Sequence, residues 1–304
     1  AIKSSKSIII PAQEAEDSDA DVIKILLAIV NDSERRKENY HIVAEVHDTR
    51  NAEVGEIVGG NEVEFVLTND FLARLTAQTS RKSGLSAVYS EILDFEGQEI
   101  YFYPADELEN KTFSDVLFSF IDAIPIGILS KNKKPLLNPK NEYVISKDDE
   151  IIVLAEDDSL INLGSGVKDF IENEKIQATN EQEIEPEHLI MIGWNRRSHM
   201  IIQQLDAFVP KGSEIVVAAD LDSKPVKLDS FENLSIKVLL GDTTDRKFLE
   251  ELEIKHVDRV IVLAYSERLD AQRADARSLI TLMHLRDIAR KIKTNLRIST
   301  EMMD

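Results

Sequence analysis

The segment that comes nearest to a phosphate-binding turn begins at Gly193 and reads Gly-Trp-Asn-Arg-Arg-Ser. A dinucleotide fingerprint needs Gly-x-Gly-x-x-Gly after a strand, because the glycines allow a tight turn and a close approach of pyrophosphate to the following helix. Asn195 stands where the second glycine is required, and its side chain would occupy space that the phosphate needs. We therefore predict that this segment does not bind NAD, although Arg196 and Arg197 could still hold another anion at the helix start.

Three more residues of the same region are candidates for ligand binding. Asp220 ends the next apolar strand, where a true dinucleotide site has its ribose-binding carboxylate. Without the glycines, a turn residue is the better interpretation of Asp220. Gly241 and Asp242 follow the strand after that, and this pair is typical of a tight turn in which the Asp side chain caps the backbone.

A run of alternating carboxylates, Asp17-Ser-Asp19-Ala-Asp21, opens like an EF-hand loop. Val22 and Ala28 stand where that loop needs its glycine and its bidentate glutamate, so we reject an EF-hand. Asp19 falls near a predicted helix start, where capping of the helix is the simpler interpretation of a carboxylate.

A cation site of another kind is open at the ends of two neighbouring strands. Glu45 and Asp48 follow one strand, and Asp17 and Asp19 lie in the loop after its neighbour. The ends of parallel strands open on one crevice, where several carboxylate oxygens could converge on a hard cation. These four residues are the candidate metal ligands, and the alternative is a solvated acidic rim.

Composition and missing motifs exclude several classes of function. The chain has 304 residues, with 36 Lys and Arg against 56 Asp and Glu, which is a net charge of −20. Such a surface repels phosphate backbones, so we predict no nucleic-acid partner. Cysteine is absent, which excludes a disulfide framework and Cys-type zinc or iron–sulfur sites. The zinc-protease, nucleophile-elbow and P-loop motifs are absent too, and we predict a non-catalytic protein.

Two segments repeat the pattern strand, helix, strand. Three pairs of acidic residues share an offset of 256 positions: Asp19 with Asp275, Glu45 with Glu301, and Asp48 with Asp304. The loop after the first strand is about four residues longer in the second copy. The strands are continuous apolar runs rich in Ile and Val, which are typical of a parallel sheet buried on both faces.

The two copies differ in what precedes them. Further strands at 188–192, 214–220 and 235–240 precede the second copy, whereas the first copy begins within seven residues of the N-terminus. We therefore expect the chain to start and to stop inside a domain. The predicted fold class is α/β, with two incomplete Rossmann-like parallel-sheet lobes separated by a small α+β C-lobe.

Four domains follow from this pattern. They are the later half of the first lobe with a peripheral helix (1–83), the C-lobe (84–156), an acidic linker (157–187) and the first part of the second lobe (188–304). The peripheral helix presents an apolar face that contains Phe71, Leu72 and Leu75. We expect this face to pack on its own lobe or on another subunit.

Three stretches carry a resemblance to a known family. They are Ile190 to Arg197, Leu205 to Glu214, and Ala271 to Ser278. Together with the order of the lobes, they make the chain similar to tandem RCK (regulator of K⁺ conductance, TrkA-type) domains, and most similar to the CASTOR/POLLUX ion-channel branch. The pair Gly241 and Asp242 also resembles the Gly-Asp that is typical of RCK lobes.

The resemblance implies a cytosolic, ligand-sensing gating-ring region of a potassium or other cation channel, which regulates conductance without catalysis. It also implies a homotetrameric ring, a pore domain in the same chain and a location on the cytoplasmic side of a membrane. Ca²⁺ is the ligand that it favours. Two alternatives stay open: a soluble nucleotide-binding regulator of K⁺ uptake, and a Rossmann-fold NAD-dependent oxidoreductase.

Overall fold

The computed structural model describes residues 2–13, 17–132, 134–164, 175, 185–220 and 230–303. The chain divides into two units, one formed by residues 1–83 with 184–304 and the other by residues 84–183. Most of the predicted acidic linker, and Asp304 of the repeat, lie outside the described residues. Within the described residues, no helix combines the length and the apolar character that crossing a bilayer requires.

The first lobe is a three-stranded parallel sheet in the order β1-β2-β3. Its elements are β1 (Ser7–Ile10), α1 (Ser18–Val30), β2 (His41–Val46), α2 (Thr49–Gly59), β3 (Val63–Leu67) and α3 (Thr68–Arg81). Val22 and Leu26 of α1 are buried in one cluster with Ile42 and Ala44 of the central strand. The helical spacing of the apolar residues in α1 therefore covers one face of the sheet.

The unit of residues 84–183 contains a four-stranded antiparallel sheet in the order β4-β7-β5-β6. Its elements are α4 (Leu85–Leu93), β4 (Glu99–Pro104), α5 (Phe113–Val116), β5 (Ile124–Leu129), β6 (Pro135–Leu137) and β7 (Glu150–Ala155). Phe113 and Val116 of the short helix α5 are buried with Ile151 and Val153 of β7. This burial makes β7 the centre of the unit's core.

The second lobe is a five-stranded parallel sheet in the order β10-β9-β8-β11-β12. Its elements are β8 (His188–Ile192), α6 (Ser198–Asp206), β9 (Ser213–Ala219), β10 (Leu234–Leu240), α7 (Arg246–Glu250), β11 (Arg259–Val262), α8 (Ala271–Lys291) and β12 (Ile298–Thr300). The strand order reverses at β8, which places a crevice at the carboxyl ends of β8 and β11. The predicted α/β class with parallel-sheet lobes is confirmed.

Helix α3 follows the first lobe in sequence but packs on the second lobe. Ala73 and Ala77 of α3 are fully buried in the same apolar cluster as Ile201 and Leu205 of α6. Phe71 is 47% exposed, so its side chain does not lie on the face of α3 that packs on α6, and its packing on another subunit stays a prediction. Small side chains prevail on the buried face because they let two helices approach closely.

The turn after β8 depends on the backbone freedom of Gly193. This residue has φ of +94°, in the region that favours glycine, and its N–H donates to the carbonyl of Ala218 at 2.8 Å. A Cβ at this position would lie 2.5 Å from the carbonyl oxygen of Leu263. The first glycine of the partial fingerprint is therefore required by the packing of β8 against β11.

We expect Gly193→Ala to destabilise the second lobe by roughly 3–4 kcal/mol, because it combines left-handed strain with a backbone collision. Gly212→Ala is the matched control, since Gly212 has φ of +95° but its Cβ would meet no atom closer than 3.7 Å. The control should lose only about 1–2 kcal/mol. Urea unfolding followed by the fluorescence of Trp194, the single tryptophan, measures both. Equal losses would contradict the close approach of β8 and β11.

Candidate functional site

The carboxyl edge of the second-lobe sheet gathers the residues that the sequence marked as ligand-binding candidates. Asn195 is the most buried of the polar ones, at 2% exposure. Its Nδ2 donates to the carbonyl of Ala264 and to Oε2 of Glu301, both at 2.9 Å, and its Oδ1 accepts from the N–H of Arg197 at 3.0 Å. The Asn195 side chain therefore ties the ends of β8, β11 and β12 together.

Arg197 makes a buried ion pair with Glu301, which follows β12. Its Nη2 donates to Oε1 of Glu301, and the two side chains are 9% and 15% exposed. Burial, together with the charge of the adjacent Arg196, lowers the pKa of the Arg197 guanidinium. Oε2 of Glu301 also accepts from the N–H of Ala264 at 3.3 Å. Glu301 is thus the anion that Arg197 holds.

Arg196 is held by a second carboxylate of the chain, that of Glu267. The N–H of Arg196 donates to Oε1 of Glu267, and its Nε lies 3.6 Å from the same oxygen. Both arginines are thus bound by carboxylate side chains of the protein, and binding of an external anion by Arg196 and Arg197 stays a prediction. The local sequence did not single out Glu267, because it lies 71 residues from Arg196.

Asp220 and Asp242 come together on the other side of the crevice around one arginine of α8. Arg277 donates from Nη2 to Oδ2 of Asp220 at 2.8 Å and to Oδ1 of Asp242 at 3.2 Å. Hydrogen bonds from the side chain and backbone of Thr244, with a further contribution from Arg277, hold the pKa of Asp242 below its ordinary value. After Gly241 the chain makes the expected turn: the carbonyl of Asp242 accepts the N–H of Asp245 at 2.9 Å, and Oδ1 of Asp242 accepts the N–H of Thr244 at 2.9 Å.

Tyr265 lies under this ionic group. The guanidinium carbon of Arg277 is 5.0 Å from the centroid of the Tyr265 ring, and the hydroxyl of Tyr265 is 2.8 Å from Oγ1 of Thr243. Burial raises the pKa of Tyr265 to about 12, so its hydroxyl stays neutral. These groups are held by one another, and the cluster positions α8 against the strand ends.

The repeat is visible in the hydrogen bonds. Oδ1 of Asp19 accepts the N–H of His47 at 3.0 Å, and Oδ1 of Asp275 accepts the N–H of Met303 at 2.8 Å, at the same offset of 256 residues. Asp19 also accepts the N–H of Asp48 at 3.0 Å. The sequence predicted that Asp19 caps its own helix, and this is not seen. Both aspartates instead accept backbone N–H groups just after the following strand.

Glu45 and Glu301 also occupy matching places. Oε2 of Glu45 accepts the N–H of Ala12 at 3.1 Å, as Glu301 accepts that of Ala264. The other oxygen differs, since Oε1 of Glu45 accepts from Oγ1 of Thr68 at 2.7 Å where Glu301 has Arg197. The two lobes thus keep the backbone contact and change the side-chain partner.

The four predicted metal ligands do not converge. Glu45 and Asp19 are engaged as above, Asp48 caps α2 through the N–H of Arg50 at 2.9 Å and pairs with the Arg50 side chain, and Asp17 precedes α1. Among the described residues, no group of three or more His, Asp or Glu side chains could hold a metal ion. The convergence predicted for these carboxylates is therefore not seen, and donors of the chain already bind three of them, Glu45, Asp19 and Asp48.

Two family models match different parts of the chain. Residues 189–303 match the family model described as a TrkA-N domain, and residues 69–170 match the model described as Castor and Pollux, part of voltage-gated ion channel. The human SLO3 gating ring has the same fold, with a TM-score of 0.62 over 93% of this chain and 59% of that chain, at 16% identity. The chain thus has two Rossmann-like lobes in the fold of a gating ring.

The chain is homologous to the CASTOR and POLLUX ion channels. It is 33% identical to the probable ion channel CASTOR of rice over 95% of this chain and 34% of that protein. It is also 33% identical to the ion channel CASTOR of Lotus japonicus, over 94% of this chain and 35% of that protein. The chain therefore spans about a third of these relatives, and the expected resemblance to tandem RCK domains and CASTOR/POLLUX channels is confirmed.

We expect Asp19→Asn to loosen the end of β2 by about 2–3 kcal/mol, because the amide cannot accept all the donors that the carboxylate binds. Burial opposes the charged form of Asp19, but hydrogen bonds from Asn51, His47 and Asp48 outweigh it and hold its pKa below the ordinary value. The contribution of Asp19 is therefore complete above the ordinary Asp pKa of about 3.9 and is lost as the pH falls through its folded-state pKa.

Hydrogen exchange of the His47 and Asp48 amides measures this effect. The protection of both amides, relative to their intrinsic exchange rate at the same pH, should fall in Asp19→Asn at neutral pH, and in the wild type only under acidic conditions. The exposed Asp21→Asn on the same helix removes only a surface pair with Lys24 and should leave both amides protected. Unchanged exchange in Asp19→Asn would contradict the assigned role.

Proposed function

We propose that this chain is a ligand-sensing gating-ring region of a cation channel, which regulates conductance and catalyses no reaction. The observation that carries the proposal is the homology to ion channels over nearly the whole chain, in a protein whose two Rossmann-like lobes pack as one unit. A ligand acts in such a device by binding one arrangement of the lobes more tightly than another.

Helix α3 is the part through which one lobe would act on the other. It follows β3 directly, and Oγ1 of Thr68 at its first position donates to Glu45 at the end of β2. Further along, Ala73 and Ala77 are buried on α6. A change at the strand ends of the first lobe is thus passed to the second lobe through a packed helix.

Exposed apolar side chains on α1 and α8 support assembly into a ring. Leu27 of α1 is 40% exposed and Met283 of α8 is 71% exposed, and the two residues occupy the same position in the repeat. Leu279 and Ile280 extend the exposed stripe on α8. Large apolar residues exposed together mark contacts between proteins. We propose that these helices join copies of the chain, with the pore domain attached to the assembled ring.

The oligomer is tested by light scattering after gel filtration. The wild-type chain should have the mass of four copies, and Leu27→Lys with Met283→Lys should reduce it, because two buried charges would weaken the contact. The control pair Val144→Lys with Leu160→Lys changes apolar residues that are also exposed, in the unit of residues 84–183, and should retain the mass. A monomeric wild type, or equal dissociation of both double variants, would contradict this assembly.

The ligand part of the proposal is Ca²⁺, as the family resemblance implies. We expect Ca²⁺ at 100 times its dissociation constant to raise the unfolding midpoint by roughly 5–10 °C, and Mg²⁺ to raise it less. Thermal unfolding of the assembled chain in each ion measures the difference. Equal shifts with Ca²⁺ and Mg²⁺, or no shift with either, would contradict Ca²⁺ as the ligand. The proposed ring is tested separately, by the mass from light scattering.

A further inference from the structure

The crevice at the carboxyl ends of the second-lobe strands is the place where ligands of doubly wound sheets bind. We propose that the chain closes this crevice with its own charged groups. The Glu267 carboxylate occupies the position that a phosphate would have at the start of α6. The Arg277 guanidinium binds the carboxylate of Asp220, which would otherwise bind a ribose. The second lobe then excludes nucleotides because its own side chains fill both positions.

The backbone donors in the turn that leads into α6 are already engaged within the chain. A phosphate at a helix N-terminus is held by N–H groups that lack partners inside the helix. Here the N–H of Asn195 donates to Oγ of Ser198 at 2.8 Å, that of Arg197 to Oδ1 of Asn195 at 3.0 Å, and that of Ser198 to the carbonyl of Asn195 at 3.0 Å. The N–H of Arg196 donates to Glu267. Each of these four donors has an acceptor in the chain.

The group that accepts from the N–H of Arg196 is an anion. Glu267 brings a carboxylate to the N–H of Arg196 and to its guanidinium, which are the donors that a phosphate oxygen would use. The side chains of Arg196 and Glu267 are 47% and 43% exposed. The position is therefore reachable from solvent, and an external anion would have to displace Glu267 to bind there.

The carboxylate of Asp220 is also engaged within the chain. In a dinucleotide site, the carboxylate at this strand end is free to bind the ribose hydroxyls. Here one oxygen of Asp220 accepts from Arg277 and the other from the N–H of Thr243 at 3.3 Å. Arg277 is held in place by Asp242 and by the face of Tyr265. The repeat offers a contrast, because the first copy has Asp21 where the second has Arg277.

Removing Glu267 tests the proposal by chemical rescue. Glu267→Ala leaves the anion position empty, so inorganic phosphate should bind there and stabilise the second lobe. Phosphate at ten times its dissociation constant should raise the Trp194 unfolding midpoint of this variant by about 3–6 °C relative to chloride at equal ionic strength. The wild type should show no such shift. Glu251→Ala, which removes an exposed carboxylate elsewhere in the lobe, is the matched control and should behave as the wild type.

Two results would overturn the proposal. One is a phosphate shift of the same size in all three proteins, or in none, because Glu267 would then not occupy the anion position. The other is a shift of the wild-type midpoint by ATP or NADH that Asp220→Asn abolishes, because the crevice would then admit a nucleotide. Neither result depends on the channel function proposed above, so failure of one proposal is distinguishable from failure of the other.

Discussion

The partly buried carboxylate of Glu301 is the group on which the carboxyl edge of the second lobe depends. It accepts hydrogen bonds from Asn195 after β8, from the backbone of Ala264 after β11 and from the guanidinium of Arg197. A charge this well buried is tolerated only when its oxygens are bound by donors, and the surrounding loops supply them. The turn at Gly193 brings Asn195 to this carboxylate. Only glycine fits at the turn, because a Cβ there would collide with the carbonyl oxygen of Leu263.

The same constraint explains how two lobes built on one repeat can serve different purposes. In both, a glutamate at the end of the last strand of the repeat or directly after it accepts a backbone N–H just after the neighbouring strand. In the first lobe the second oxygen binds Thr68, which begins the helix that packs on the second lobe. In the second lobe it binds Arg197, which directly precedes α6. The backbone contact is therefore shared by both lobes, and the side-chain partner of the carboxylate differs between them.

Much of the fold could be predicted from the sequence because its signals are local. Continuous Ile and Val runs such as β8 and β11 are buried on both faces and read directly as parallel strands. The turn at Gly193 and the turn at Gly241 followed from residue type. The packing of α3 did not, since large apolar residues such as Phe71 suggested one face and the small residues Ala73 and Ala77 formed the other. Periodicity finds an apolar stripe but does not tell which neighbour will lie close enough to require alanine.

At the candidate site, some features can be derived from residue order and others depend on the fold. The repeat, the parallel strands, the missing second fingerprint glycine and the arginines before α6 can all be derived from the sequence. It did not determine that Glu267 and Glu301 are the anions they hold, or that Asp19 binds the end of β2. The partners of these carboxylates lie between 28 and 106 residues away. Which donor meets which carboxylate at such separations is decided only when the strands align and bring their ends to one edge.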